Sequence, residues 1–370
     1  MIIGLLKEPT YESRISLLTD AVTQLIKKGI QVYVEQDAGL KAFATNQDYS
    51  AVGATVTSRE EVLASSDIIM AIHPLSLNEI AQLKSKVLIG VYQPLNNMID
   101  LSQWAKESLT VFSLDMLPRT TRAQSMDVLS SQANIAGYKA VLLAASVYSR
   151  YLPMFMTAAG SIAPAKVMII GAGVAGLQAI ATAKRLGAVI EVFDTRPAVK
   201  EEVMSLGAKF IEVEGAADAS KAGGYAVEQT PEFLQKQKER IAASIAKSDI
   251  VITTAQIPGK KAPLLITEEM VHSMRNGSII IDLAAATGGN SAFTKNNETI
   301  VEGGVTIIGN SNLQSTMPSD ASKLYGRNIL NFLQLIINKE GQIDLNWNDD
   351  LVKGSCIVHD GEIVHERLKQ

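Results

Sequence analysis

The chain has 370 residues, of which 47% are hydrophobic and 19% are charged, and its formal net charge is -4. That length is too great for one ordinary domain and sufficient for two, each with its own core. The charge balance gives no basic surface that would indicate nucleic acid or an anionic membrane as a partner. The single cysteine, Cys356, excludes an internal disulfide and is typical of a reducing compartment. We therefore expect a cytoplasmic protein with two globular domains.

Metal and membrane binding find little support in the sequence. The four histidines are scattered along the chain and form no His/Cys cluster, so we predict no metal site. Residues 1–9 are typical of a first strand and not of a signal peptide. No apolar run reaches the roughly 18 residues that a membrane span requires. We expect the chain by itself to be soluble.

Residues 1–115 alternate predicted strands with predicted helices. Apolar runs predict strands at residues 2–6, 31–35, 68–72, 87–91 and 110–113. Apolar residues at helical spacing predict a helix over residues 16–28, and the whole segment is typical of a parallel α/β unit without a glycine fingerprint. Arg14, which precedes this helix, has two interpretations: it holds an anionic ligand, or it is a solvated loop charge.

The segment 115–132 is dense in side chains that can form hydrogen bonds, and it joins the two predicted domains. A ligand cleft is commonly found at such a junction. Arg119, Gln124 and Asp127 could together bind the carboxamide and the ribose of a nicotinamide. A surface linker would have the same composition, so these residues alone leave both interpretations open. A long helix is predicted next, over residues 134–151.

The stretch 165–196 has the order of a dinucleotide site. A buried strand at residues 165–170 runs into Gly171-Ala172-Gly173-Val174-Ala175-Gly176, and a helix follows over residues 177–186. The three glycines permit a tight turn, a close approach to pyrophosphate and close packing of the helix on its strand. The strand at residues 189–193 ends in Asp194, which is placed to accept hydrogen bonds from a ribose 2′-OH. The alternative is a glycine turn used only for packing.

The choice between NAD and NADP depends on two neighbouring residues of opposite charge. Asp194 would repel a 2′-phosphate, whereas Arg196 could pair with one. Because the acid holds the strand-end position, we predict NAD(H), with Arg196 simply in the loop. The predicted cofactor-binding residues lie in the glycine turn, in the loop that begins at Asp194, in the segment 214–231 and in two later loops at strand ends. They are Gly171, Gly173, Val174, Ala175, Gly176, Asp194, Thr195, Arg196, Tyr225, Ala255, Gln256 and Leu283.

After a third strand at residues 207–213, the segment 214–231 has no regular pattern. Irregular stretches of this length are usually lids or disordered segments. Gly223 and Gly224 would act as a hinge, and Tyr225 would offer a ring and a hydroxyl to a nucleotide. A mobile insertion without a catalytic task is the alternative. The remaining predicted elements are helices over residues 232–247 and 321–338 and strands at residues 250–253, 278–282 and 305–309.

With these residues in view, the chain resembles the NAD(H)-binding component of proton-translocating nicotinamide nucleotide transhydrogenase, which is itself similar to alanine dehydrogenase. The resemblance covers nearly the whole length. It is most specific at residues 118–119, 122–127, 129–132, 156–160, 176–188 and 222–225. It implies that Arg119, Gln124 and Asp127 form a loop over the nicotinamide, that Ser130 assists, and that Tyr225 lies on a mobile loop.

The resemblance also implies a fold, a function and partners. The implied fold is α/β, with two Rossmann-like doubly wound parallel-sheet domains separated by a cleft. One domain would comprise residues 1–128 and 321–370, and the other residues 129–320. The implied function is transfer of a hydride from NADH on this chain to NADP+ on a partner subunit. The implied assembly is a homodimer attached to the inner face of the cell membrane through membrane-spanning subunits.

Differences from alanine dehydrogenase favour the transhydrogenase over that relative. An amino-acid dehydrogenase needs a general acid/base and cations for a carboxylate. In an ungapped placement, the family's lysine, histidine and aspartate fall at Ala71, Val91 and Ala286, and only the arginine remains, as Arg14; His73 lies two residues from the first position. Hydride exchange between two nicotinamides needs no protein acid or base. A soluble alanine-type dehydrogenase and a catalytically silent nucleotide-binding regulator are the alternatives.

Overall fold

The computed structural model describes residues 1–96, 101–213 and 230–369. The chain divides into two compact units. Unit 1 comprises Met1–Gln132 and Gln314–Gln370, and unit 2 comprises Ala133–Leu313. The sequence-based division places the two boundaries after residues 128 and 320.

The strands of the described residues are short, and most are buried. In chain order they are β1 Ile2–Leu5, β2 Gln31–Glu35, β3 Thr55–Thr57, β4 Ile68–Met70, β5 Val87–Gly90, β6 Thr110–Ser113, β7 Phe155–Thr157, β8 Gly160–Ile162, β9 Lys166–Ile170, β10 Val189–Phe193, β11 Lys209–Phe210, β12 Ile250–Thr253, β13 Ile279–Asp282, β14 Glu298–Glu302, β15 Val305–Gly309, β16 Cys356–His359 and β17 Glu362–Ile363.

The helices connect these strands. In chain order they are α1 Thr19–Lys27, α2 Asn46–Ala51, α3 Arg59–Ser65, α4 Leu77–Ile80, α5 Leu101–Lys106, α6 Val128–Val147, α7 Val174–Arg185, α8 Lys200–Ser205, α9 Pro231–Ile245, α10 Glu268–His272, α11 Pro318–Ile336 and α12 Asp350–Ser355. Short 3-10 helices include Thr121–Met126 and Ala285–Thr287. In the part of the chain that the structure describes, we find no helix that combines the length and the apolar character needed to cross a membrane.

Unit 1 is built on a sheet of eight strands in the order β17-β16-β6-β5-β4-β1-β2-β3. The six strands from β1 to β6 are parallel, and β16 joins β6 in the antiparallel sense. Ile68 and Met70 share one core with residues of α1 and α11, whereas Ile69 belongs to a second core with residues of α3 and α5. Buried residues on both faces are expected for a parallel sheet covered by helices on both sides.

Unit 2 repeats this plan with a sheet in the order β11-β10-β9-β12-β13-β15-β14. All neighbouring pairs are parallel except β14 and β15. Val167 and Ile169 share a core with α6 and α7, and Met168 and Ile170 share a core with α9 and α10. The six parallel strands of each unit thus follow the 3-2-1-4-5-6 order of a doubly wound sheet, which confirms the predicted fold class. Ligands of such sheets bind beyond the carboxyl ends of the strands.

Several elements differ from the sequence-based prediction, including helix α6, strand β14 and the hairpin β7–β8. Helix α6 begins at Val128, not at residue 134, because the Asp127 carboxylate accepts the Ser130 backbone N–H at 2.9 Å and caps the helix. The edge strand β14 is largely exposed, so its sequence carries no apolar run. The hairpin β7–β8 was not predicted either, because its strands are only three residues long and belong to neither of the two large sheets.

Candidate functional site

The glycine turn follows β9 in unit 2, and each of its glycines has a different role. Gly171 has a φ of +101°, which favours glycine. A Cβ on Gly176 would lie 1.9 Å from the Gly171 carbonyl oxygen, so packing within the protein excludes a side chain there. A Cβ on Gly173 would meet no atom of the described residues within 4 Å, and its backbone, with φ -80° and ψ -169°, suits any residue. Of the three glycines, Gly173 is the one beside which the space lies open to a ligand.

Helix α7 begins directly after this open space, with Gly173 as its N-cap. The N–H groups of its first turn have no acceptor within the helix, and the helix dipole is positive at this end. Gly176, Ala179 and Ala183 are buried, and these small residues let the helix lie close to the sheet. The turn and the helix start therefore have the form of a pyrophosphate site.

Gly137 on α6 also shapes this turn, and the sequence reasoning missed it. A Cβ on Gly137 would lie 2.0 Å from the Ala175 carbonyl oxygen, so α6 passes against the turn at a distance that only glycine permits. A glycine inside a helix costs about 1 kcal/mol relative to alanine, so it usually has a packing reason. A glycine within the predicted helix 134–151 was therefore the sequence signal that could have indicated a close contact at Gly137.

Asp194 and Arg196 form a pair beside the turn. One Asp194 carboxylate oxygen accepts the Ala172 N–H at 2.7 Å, which ties the end of β10 to the glycine turn. The Arg196 guanidinium donates to both Asp194 oxygens, from Nε at 2.9 Å and from Nη2 at 2.8 Å. Arg196 therefore lies in the loop after β10, as the sequence suggested, but its guanidinium is bound to Asp194. It neutralises the acid that was predicted to bind the ribose.

Two loops at the carboxyl ends of β12 and β13 are joined by side chains. Gln256 donates from Nε2 to the Leu283 carbonyl at 2.8 Å. Asn290, which is fully buried, accepts the Ala255 N–H at 3.1 Å and donates to the Ala255 carbonyl at 2.9 Å. The Asp282 carboxylate in turn accepts the Asn290 N–H at 2.6 Å. The predicted residues Ala255, Gln256 and Leu283 thus lie in one fixed group, and Asn290 is a member that no sequence pattern singled out.

The second predicted group lies in unit 1, in residues 119–130, which we call the 119–130 loop. Ser130 donates from its backbone N–H to one Asp127 oxygen at 2.9 Å and from its hydroxyl to the other at 2.6 Å. Arg119 Nη2 lies 3.8 Å from Asp127 Oδ2. Arg119 and Gln124 are exposed, whereas Asp127 and Ser130 are half-buried. The structure thus brings Arg119, Asp127 and Ser130 together.

The sequence left two interpretations of Arg14, a solvated loop charge and a side chain that holds an anionic ligand, and the structure shows a buried side chain bound to another residue of the protein. It is only 6% exposed, and its Nε and Nη2 donate to the two Glu12 oxygens at 2.9 and 2.6 Å. His73 Nε2 lies 2.9 Å from the same carboxylate. Burial alone would raise the pKa of Glu12, but the hydrogen bonds from Arg14 and His73 hold that pKa well below its usual range. The side chains of Arg14 and His73 are therefore both bound to Glu12.

The other positions that were singled out in the sequence and that the structure describes lie at or near the ends of strands in both units. Ala71 is buried at the end of β4, Val91 is half-buried after β5, and Ala286 is exposed in the 3-10 helix after β13. Thr195 is half-buried between Asp194 and Arg196. Tyr225 lies outside the described residues. Within the described ranges, no three His, Cys, Asp or Glu side chains are grouped so as to hold a metal ion.

Comparison with known families matches both parts of the chain to one family. The family model described as alanine dehydrogenase/PNT, N-terminal domain, matches residues 4–136, and the model for the C-terminal domain of the same family matches residues 140–366. The chain belongs to the alanine dehydrogenase/PNT family.

Within that family, the chain is more similar to transhydrogenases than to alanine dehydrogenases. The first part of the NAD(P) transhydrogenase subunit alpha of Rhodospirillum rubrum is 44% identical over 367 residues, which cover 96% of each chain. The crystal structure of transhydrogenase from Sinorhizobium meliloti matches with a TM-score of 0.90 and 43% identity, covering 98% of this chain and all of that one. The alanine dehydrogenase of Staphylococcus haemolyticus is 27% identical, covering all of this chain and 96% of that one. These comparisons confirm the resemblance that the sequence motifs indicated.

Proposed function

We propose that this chain is the NAD(H)-binding subunit of a transhydrogenase and passes a hydride from NADH to NADP+ held on a partner subunit. The proposal is carried by the open space at Gly173, which lies at the start of α7 and beside Asp194. Dihydronicotinamide supplies the hydride chemistry when it is bound, so the protein has to orient it and to exclude water.

The described residues fit NAD(H). The backbone of Gly171, Gly173 and the first turn of α7 would hold the pyrophosphate. Asp194 would hold the adenosine ribose, with Thr195 and Arg196 beside it. The Ala255, Gln256 and Leu283 group would line the path toward the nicotinamide. In unit 1, Arg119, Gln124, Asp127 and Ser130 would hold the dihydronicotinamide ring.

An alanine-type amino-acid dehydrogenase is the second candidate, because the family includes such enzymes. That reaction moves a proton as well as a hydride, so it needs an available acid/base group and an available cation. Ala71, Val91 and Ala286 supply neither, and Arg14 and His73 are both bound to Glu12. These contacts favour hydride exchange between nicotinamides. The third candidate, a silent regulator, would bind NADH without transferring hydride.

One mixing experiment separates the three candidates. The purified chain is combined with NADH, the thionicotinamide analogue of NADP+ and a membrane-free NADP-binding partner domain, and reduction of the analogue is followed by absorbance. We expect reduction only when both proteins are present. Binding of NADH without any reduction would favour the regulator. Steady NADH production from L-alanine and NAD+ by the chain alone would instead favour the dehydrogenase.

Asp194→Ser is expected to shift the nucleotide preference toward NADP(H). The variant removes the acid that repels a 2′-phosphate and releases the Arg196 guanidinium, which now donates to that acid. A lost charge-assisted hydrogen bond is worth about 1.5–3 kcal/mol, so NADH affinity should fall by about one to two orders of magnitude. Fluorescence titration with NADH and NADPH measures both changes.

The double variant Asp194→Ser/Arg196→Ala is the control for that shift. It should lose the gain in NADPH affinity, because the released guanidinium is then absent. If the single variant bound NADPH no more tightly than the original chain, Arg196 would have no part in nucleotide selection.

The proposed assembly includes an NADP(H)-binding subunit and membrane-spanning subunits, through which this chain would be held at the inner face of the cell membrane. The name of the Rhodospirillum rubrum relative, which describes it as one part of a subunit alpha, supports further subunits.

We also propose a homodimer. The exposed hairpin β7–β8 supports it, because Phe155, Met156 and Ile162 are 43%, 76% and 41% exposed, and exposed apolar side chains of this size commonly mark interfaces.

A further inference from the structure

The 119–130 loop is fixed by a part of unit 1 that comes some 200 residues later in the sequence. The Ser125 carbonyl oxygen accepts two side-chain amides, from Asn328 Nδ2 at 2.8 Å and from Asn331 Nδ2 at 3.0 Å. Both asparagines lie on α11. A carbonyl with both lone pairs occupied by side chains of one helix is held in position and in orientation.

A second anchor joins the same loop to α12. The Arg122 guanidinium donates from Nη1 and Nη2 to the two Asp349 oxygens, each at 2.6 Å, and it also pairs with Asp350. Asp349 caps α12 by accepting the Leu351 N–H at 2.9 Å. The Arg122 hydrogen bond lowers the pKa of Asp349 to about 2, so the pair stays ionised near neutral pH. A two-pronged pair of this kind fixes geometry as well as charge.

The inner side of the loop is packed, and its outer side presents polar groups. Ala123 and Met126 are buried in the same hydrophobic core as Phe332 of α11. Arg119 and Gln124 on the same loop are exposed. The anchors therefore act on the backbone of the loop, and the side chains proposed to hold the nicotinamide project from it.

We propose that Arg122, Asn328 and Asn331 are positioning residues for hydride transfer. This inference rests on the proposed function. Hydride transfer requires the two reacting carbons to approach within about 3–3.5 Å, and a displacement of about 1 Å can lower the rate about 100-fold. The three residues act through the loop backbone, and NADH affinity depends mainly on the glycine turn of unit 2.

The test compares Arg122→Ala and the double variant Asn328→Ala/Asn331→Ala with the original chain. Transfer from NADH to the thionicotinamide analogue is measured with the partner domain and both nucleotides at saturation, and NADH affinity is titrated separately. We expect the maximal rate to fall by about 10- to 100-fold while NADH affinity stays unchanged. Arg122→Lys, which keeps one ion pair, should recover some of the rate.

Arg59→Ala is the matched control, because Arg59 also bridges two acids of unit 1, Glu35 at 2.7 Å and Glu79 at 2.5 Å. It should leave transfer unchanged. Normal rates in both test variants, or an equal loss in Arg59→Ala, would overturn the inference. Arg122 is 48% exposed, so Arg122→Ala decides the question even if the asparagine variant fails to fold. Absence of transfer in the original chain would refute the proposed function instead.

Discussion

Replacing Gly173 with alanine is expected to weaken NADH binding strongly while the fold stays intact. The added methyl group would meet no atom within 4 Å in the part of the chain that the structure describes, so it would occupy the space proposed for the pyrophosphate. Forcing a methyl group into a packed contact costs about 1–3 kcal/mol, which corresponds to a loss in affinity of about 5- to 150-fold. Alanine is a poorer N-cap than glycine but reduces the freedom of the unfolded chain, and these opposing effects leave stability nearly unchanged. NADH fluorescence titration and thermal unfolding measure the two quantities.

Gly176→Ala provides the contrast, because the new Cβ would lie 1.9 Å from the Gly171 carbonyl oxygen. The turn must then shift, so both the melting temperature and NADH affinity should fall. Wild-type NADH affinity in Gly173→Ala would mean that the dinucleotide does not pass over the turn. In that case Gly171 and Gly176 would serve only the packing of the turn, as the alternative interpretation of the sequence holds.

Asp127→Asn is expected to lower hydride transfer by about 10- to 100-fold, with a much smaller effect on NADH affinity. The amide oxygen can still accept the Ser130 N–H and cap α6, so the helix should persist. The amide nitrogen cannot accept the Ser130 hydroxyl, and the charge opposite Arg119 is lost. Single-turnover transfer to the thionicotinamide analogue on the partner domain measures the rate.

Two neighbouring serines offer a matched control for this prediction. The Ser130 hydroxyl donates to Asp127 at 2.6 Å, whereas the Ser131 hydroxyl donates to the Val128 carbonyl at 3.1 Å. Ser130→Ala should lower the transfer rate, and Ser131→Ala should not. Equal effects in the two variants would show that the loop tolerates no change at the helix start and that the Asp127 contact has no special role.

The sequence predicted the regions of the fold that are encoded locally. Apolar runs mark the buried strands, so the bounds of β2, β6, β10, β12 and β15 were predicted without error. The glycine turn was predicted for the same reason, because strand, turn, helix and acid follow one another within about 30 residues. Edge elements were missed, because a largely exposed strand such as β14 packs only Ile300 against the core and so carries no clear periodicity.

The candidate site was predictable only in part, because many of its contacts join distant residues. Asp194 was predicted, but its neutralisation by Arg196 depends on a rotamer that no spacing encodes. Asn328 and Ser125 are 203 residues apart, and Arg122 and Asp349 are 227 residues apart. Pairs of this kind follow from the return of the C-terminal segment to unit 1, which the sequence indicated, but the individual partners become visible only in the folded chain.

The central claim is that a hydride passes directly from NADH on this chain to a nicotinamide on a partner, without a proton-handling side chain. The most direct test uses NADH with deuterium at both C4 positions, the partner domain and the thionicotinamide analogue of NADP+ in ordinary water. We predict that every reduced analogue carries one deuterium at C4 and that none carries hydrogen from the solvent. Reduced analogue that contained solvent hydrogen in place of the deuterium would contradict direct transfer.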